Sequence, residues 1–112
     1  MHTEVTHRST DNATVIYVDG DLTTNSSPEV EADILELLEG NTNNLVINVE
    51  KVNFIASTGL RVILALGKRL NKEGRKLSIC SMNPTTKSVF EMSGFSKLFP
   101  TFDDEEEALK NL

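Results

Sequence analysis

At 112 residues, with 38% hydrophobic and 25% charged residues, the chain has the length and balance of one soluble globular domain built on a single core. The formal charge of -6 disfavours nucleic acid, whose phosphates are held by clustered Lys and Arg, and favours a basic partner instead. No apolar run approaches the roughly 18 residues that span a bilayer, and MHTEVTHRST lacks a signal core, so no membrane partner and a cytoplasmic location are expected.

In chain order, a first strand is expected near Glu4 to Arg8. A hairpin leads from it into Thr14-Val15-Ile16-Tyr17-Val18, whose β-branched and aromatic residues suit a second strand ended by Gly20. After the polar loop DLTTNSS, Pro28 fits the first turn of a helix, with Ser27 as cap and Glu29 and Glu31 near the positive helix end. Val30, Ile34, Leu37 and Leu38 recur at helical spacing, and Gly40 stops the helix. Leu45-Val46-Ile47-Asn48-Val49 has the near-continuous apolar pattern of a strand buried on both faces.

Next comes VNFIASTGLRVILALGKRL, residues 52 to 70, in which a Ser57-Thr58-Gly59 step separates two apolar segments. At about 100° per residue, Gly59, Val62, Ile63, Leu66 and Leu70 form one stripe facing a sheet, while Arg61 and Lys68 point away. Leu60 and Leu64 lie on a flank, either under a neighbouring helix or open to a partner. Lys76-Leu77-Ser78-Ile79-Cys80-Ser81 forms another strand, in which Cys80, the single cysteine, has the setting of a buried and inert thiol. Asn83-Pro84 opens a helix carrying Val89, Phe90 and Met92 and ended by Gly94. A short segment around Leu98-Phe99 precedes a last helix from about Asp103. Asp103 is its expected cap, Glu106 its capping-box partner, and its acids a solvated face. The order β-β-α-β-α-β-α-(β)-α implies an α/β fold: a small mixed sheet, opened by an antiparallel hairpin and continued by parallel strands, with helices packed against it.

Ser57 falls where a central strand hands over to a helix, the edge at which ligands and chemistry collect in open α/β sheets. A serine there can also serve only as a helix cap, worth about 1 kcal/mol. Gly59 either lets the helix approach the strand or leaves room for a partner backbone. A hydrolase nucleophile elbow would need flanking glycines, but Ile55 and Ala56 precede Ser57, and the only histidines, His2 and His7, lie near the N-terminus. There is no GxxxxGK[ST], no GxGxxG and no Cys/His cluster at ligand spacing, so neither catalytic residues, metal nor cofactor are expected and the chain is not expected to be an enzyme.

GDL at 20 to 22, LVINVEKVNFIASTGLRVIL at 45 to 64 and SMNPTTKSVFEMSGF at 81 to 95 together closely resemble the bacterial anti-sigma factor antagonists, the stand-alone STAS domains. The resemblance covers nearly the whole chain, as one STAS domain over residues 1 to 112. It implies that Ser57 is phosphorylated by an anti-sigma factor that is itself a serine kinase, and that a phosphatase reverses the modification. The unmodified antagonist would bind the anti-sigma factor and free the sigma factor. The implied contact surface comprises Asp21, Thr23, Ala56, Ser57, Thr58, Gly59, Leu60, Arg61 and Leu64. The chain departs from the family pattern at Ala56, where aspartate is usual, and at Thr23, where many members carry an acid. The alternative is a STAS regulatory or scaffold subunit of another signalling or transport complex, with nucleotide binding a weaker third reading. Independently of the family, a phosphate on Ser57 would add about -1.5 to -2 charges beside a helix N-terminus that welcomes an anion, so the domain would stay folded while a docked partner met a new dianion.

Overall fold

The computed structural model describes residues 3–112. Five strands form one sheet in the order β1 (Glu4–Ser9), β2 (Ala13–Asp19), β3 (Asn44–Lys51), β4 (Leu77–Cys80), β5 (Thr101–Phe102). β1 and β2 pair antiparallel, and every later pair is parallel. The connecting helices are α1 (Ser27–Glu39), α2 (Ser57–Lys72) and α3 (Pro84–Met92), with a 3-10 turn at Phe95–Lys97 and a terminal α4 (Glu105–Lys110). The mixed sheet with its opening hairpin is the fold expected from the element order.

Period-two alternation divides the sheet into two faces. Ile16 and Val18 of β2, Leu45, Ile47 and Val49 of β3, and Leu77 and Ile79 of β4 form one core with Val30, Ile34 and Leu38 of α1, the α2 stripe and Phe90 of α3. Ala13, Val15, Val46 and Cys80 face the other way, under Ala108 of α4. β3 is therefore buried on both faces, as its apolar run requires. Val62, Ile63, Leu66 and Leu70 are all buried, each contributing roughly 1.5–3 kcal/mol relative to exposure, which fixes the rotation of α2 about its axis. Among the described residues, no helix is long and apolar enough to cross a membrane.

Several local expectations are corrected. Ser27 is the first residue of α1 and not its cap; its hydroxyl donates to the carbonyl of Thr23 at 2.5 Å. Ser26 occupies the cap position, but its hydroxyl accepts from the Thr23 amide and donates to the Asp21 carbonyl, so α1 starts from a folded loop without a side-chain cap. Met92 is 85% exposed and contributes nothing to the α3 core face. The late strand lies at Thr101–Phe102, past Leu98-Phe99, because the Phe99 ring packs instead on the backbone of α2 at Gly67. The cap of α4 is Asp104, accepting from the amide of Glu107 at 2.8 Å, one residue later than Asp103 and Glu106. That register buries Ala108 and turns Glu105 inward, where its carboxylate receives Arg8 at 2.5 Å and Asn48 at 3.2 Å, so the acidic face is not wholly solvated. His7 lies exposed on β1, and His2 falls outside the described residues.

Candidate functional site

The polar step at 57 to 59 begins α2 immediately after the loop that leaves β3. That loop is held from two sides. The Asp21 carboxylate accepts from the amides of Asn53 at 3.1 Å and Phe54 at 3.2 Å. Leu22 donates its amide to the Phe54 carbonyl and accepts from the Ala56 amide at 2.8 Å, forming an isolated parallel bridge with Ile55. On the other side, Asn83 donates from Nδ2 to the Val52 carbonyl at 3.1 Å while its Oδ1 caps α3 at Thr86. The GDL step, the STGL step and the NP turn, far apart in sequence, thus converge on one loop and fix the entry to α2.

Ser57 is the first residue of α2, so the alternative role of helix cap does not apply to it. Ala56 holds the cap position, with φ -78° and ψ 167°, the extended geometry of a capping residue but no side-chain acceptor. Among the described residues, the amides of Ser57, Thr58 and Gly59 consequently have no backbone partner, as the geometry of a helix start dictates, and no side chain caps them. The Ser57 side chain is exposed and its hydroxyl makes no hydrogen bond with a described residue. Thr58 is different: its Oγ1 is buried without a hydrogen-bond partner, so the two adjacent hydroxyls are not equivalent.

Gly59 is buried, and a Cβ there would stand 2.9 Å from Leu22 Cβ and 3.1 Å from Ile55 Cγ2. The space beside Gly59 is therefore taken by the chain's own GDL loop. Of the two readings of this glycine, the contacts favour close approach, here of helix and loop, over room for a partner backbone. Leu60 is half-buried against the main core, and Leu64, also half-buried, lines a groove further along α2. Arg61, one turn after Ser57, and Lys68 are exposed, as the helical angle requires. Thr23 is committed to the turn before α1, accepting from the Ser26 amide at 3.0 Å, and Asp21 to the two loop amides. Both act as supports of the site. Phe54, on the loop that delivers Ser57, is a 52% exposed apolar side chain that the sequence pattern did not single out. Asn83 was visible only as a helix start, although an Asn-Pro pair can also signal a side chain tied to a neighbouring loop.

Among the described residues, no group of three or more His, Cys, Asp or Glu side chains is arranged to hold a metal ion. Cys80 is buried, and burial pushes its thiol up to about 11.

Residues 4–108 match the family profile described as the STAS domain. The chain is 29% identical over 99 residues to the anti-sigma F factor antagonist of Paenibacillus polymyxa, covering 88% of this chain and 85% of that protein. Among solved structures, an anti-sigma factor antagonist from Mycobacterium paratuberculosis superposes with a TM-score of 0.87 at 25% identity, over 96% of this chain and 92% of that one. The Bacillus cell fate determinant SpoIIAA in its phosphorylated form gives a TM-score of 0.71 at 23% identity over 96% of each chain, a likeness of fold.

Proposed function

This chain belongs to the STAS domain family, and we propose that within it the protein is an anti-sigma factor antagonist, a binding module without catalytic activity, switched by phosphorylation of Ser57. The unphosphorylated form binds an anti-sigma factor that is a serine kinase and so frees a sigma factor; a phosphatase reverses the modification. The observation that carries this reading is the state of the Ser57 hydroxyl: exposed, without a hydrogen bond, and standing at an uncapped helix start whose three free amides favour an anion. Transfer of the γ-phosphoryl group of ATP to Ser57 Oγ leaves the core untouched, because no core contact passes through that side chain. It places a charge of about -1.5 to -2 on the exposed first residue of α2, one turn before Arg61.

Substitution at Ser57 tests the switch without disturbing a cap. Ser57→Ala should change stability by no more than ~0.5 kcal/mol, since the hydroxyl makes no bond to lose. It should also bind the anti-sigma factor in the presence of ATP without being released. Ser57→Asp should fold equally well and bind at least tenfold more weakly. Incubation of the wild type with the kinase and ATP should add one phosphate, mapped by mass spectrometry to Ser57. Modification at Thr58, or equal affinities for the two variants, refutes the assignment.

A further inference from the structure

A second feature lies on α2, about 15 Å beyond Ser57 if the ten residues to Gly67 rise at the helical 1.5 Å each. Between the C-terminal half of α2, the start of β4 and the segment before β5 runs a groove of about 420 Å³, within the range of small-molecule sites. Its walls are Leu64, Leu77 and Leu98, the last 59% exposed. Phe99 lines it too, its ring seated where a side chain at position 67 would have been, so the glycine is what lets the ring stand there.

The charged residues that line this groove are of one sign. Lys68 and Lys76 stand on its rim, both exposed and neither in an ion pair among the described residues. No Asp or Glu lines it, in a chain whose net charge is -6. Arg75 also borders it, but its guanidinium is already spent on Glu73 at 2.9 Å, Asn41 at 3.0 Å and the Asn43 carbonyl at 2.7 Å, which leaves its stem as wall. An apolar trough with two unpaired ammonium groups at its mouth matches a ligand with an apolar body and a single anionic head.

We propose that the groove between Leu64, Leu77, Leu98 and Phe99 is a binding site for a small amphipathic anion of the medium-chain carboxylate class, its tail on the Phe99 ring and its head between Lys68 and Lys76. The site is separate from the Ser57 edge and does not depend on phosphorylation there.

Decanoate, used below its micelle concentration, is the probe, with decanol and decyltrimethylammonium as neutral and cationic counterparts of the same chain length. Titrated into the isotope-labelled protein, decanoate should give saturable amide shifts centred on Gly67, Leu77 and Phe99. Decanol should bind at least fivefold more weakly, and the cation should give no saturable shift at those amides. Lys68→Gln with Lys76→Gln, both at exposed positions, should weaken decanoate at least fivefold while the melting curve stays that of the wild type. Ser57→Asp should leave its affinity within twofold. The proposal is overturned if no saturable shift appears, if shifts centre elsewhere, if decanol equals decanoate, or if the double variant binds as the wild type does. Saturation of the groove by an acidic leucine-containing peptide but not by decanoate also overturns it, in favour of a protein partner.

Discussion

Ala56→Asp should stabilise the protein, and the amount follows from the start of α2. Ala56 already has the extended backbone of a cap, and the amides of Thr58 and Gly59, the second and third residues of the helix, have no acceptor. An aspartate there can accept from one of them, as Asp104 does from Glu107 in α4 and Asn83 from Thr86 in α3. Replacing alanine by such a cap is worth about 1 kcal/mol, within a range of roughly 0.5–2. The carboxylate adds a favourable interaction with the helix dipole of about 0.3–1 kcal/mol, reduced by repulsion from the nearby Asp21. Ala56→Asn separates the two contributions, since it caps without charge. Both variants should raise the melting temperature by about 4–8 °C per kcal/mol, and any difference between them should shrink as salt screens the charge. Urea and thermal unfolding at low and moderate salt measure this. If neither variant is more stable than the wild type, the amides at the start of α2 are not uncompensated, and the helix start has no special affinity for an anion.

Gly59→Ala should destabilise by about 1–3 kcal/mol in urea unfolding, because its Cβ would sit 2.9 Å from Leu22 Cβ and force the GDL loop away from α2. Cys80, with its thiol at about 11, should resist alkylation at pH 8 in the folded protein and react readily once urea unfolds it; rapid labelling of the native state would contradict its burial. Burial alone would raise the Glu105 carboxyl, but the hydrogen bonds from Arg8 and Asn48, with the neighbouring Tyr17 acting in the same direction, outweigh it and hold the group below its ordinary 4.5. A lowered folded value contributes stability that is present above 4.5 and lost as pH falls through the folded value. Glu105→Gln should therefore be less stable than the wild type at pH 7, with the gap closing below pH 4.5 in urea melts taken across that range.

Local pattern was enough wherever one residue's chemistry decided one element. The β-branched run of β2, the near-continuous apolar run of β3, the α2 stripe from Gly59 to Leu70 and the Asn83-Pro84 start of α3 were all legible, because residue propensity, hydrophobic period and capping chemistry act within a few residues. The resemblance carried by three segments likewise located Ser57 as the residue to examine. Local chemistry missed each helix start by one residue. Ser27 and Asp103 were expected as caps and Ser57 was a candidate for one, whereas the cap positions fall at Ser26, Asp104 and Ala56, because the tertiary contacts of the following helix set the register. α4 begins one residue late because Ala108 must face the sheet and Glu105 must meet Arg8 and Asn48. Long-range pairing also decided the meaning of the polar GDL and NP steps: Asp21 and Asn83 lie 32 and 31 residues from the backbone groups of Asn53 and Val52 that they bind. No local period encodes such a separation. The same holds for Gly59 and Gly67, whose missing side chains acquire a reason only when the fold brings Leu22 and Phe99 against them.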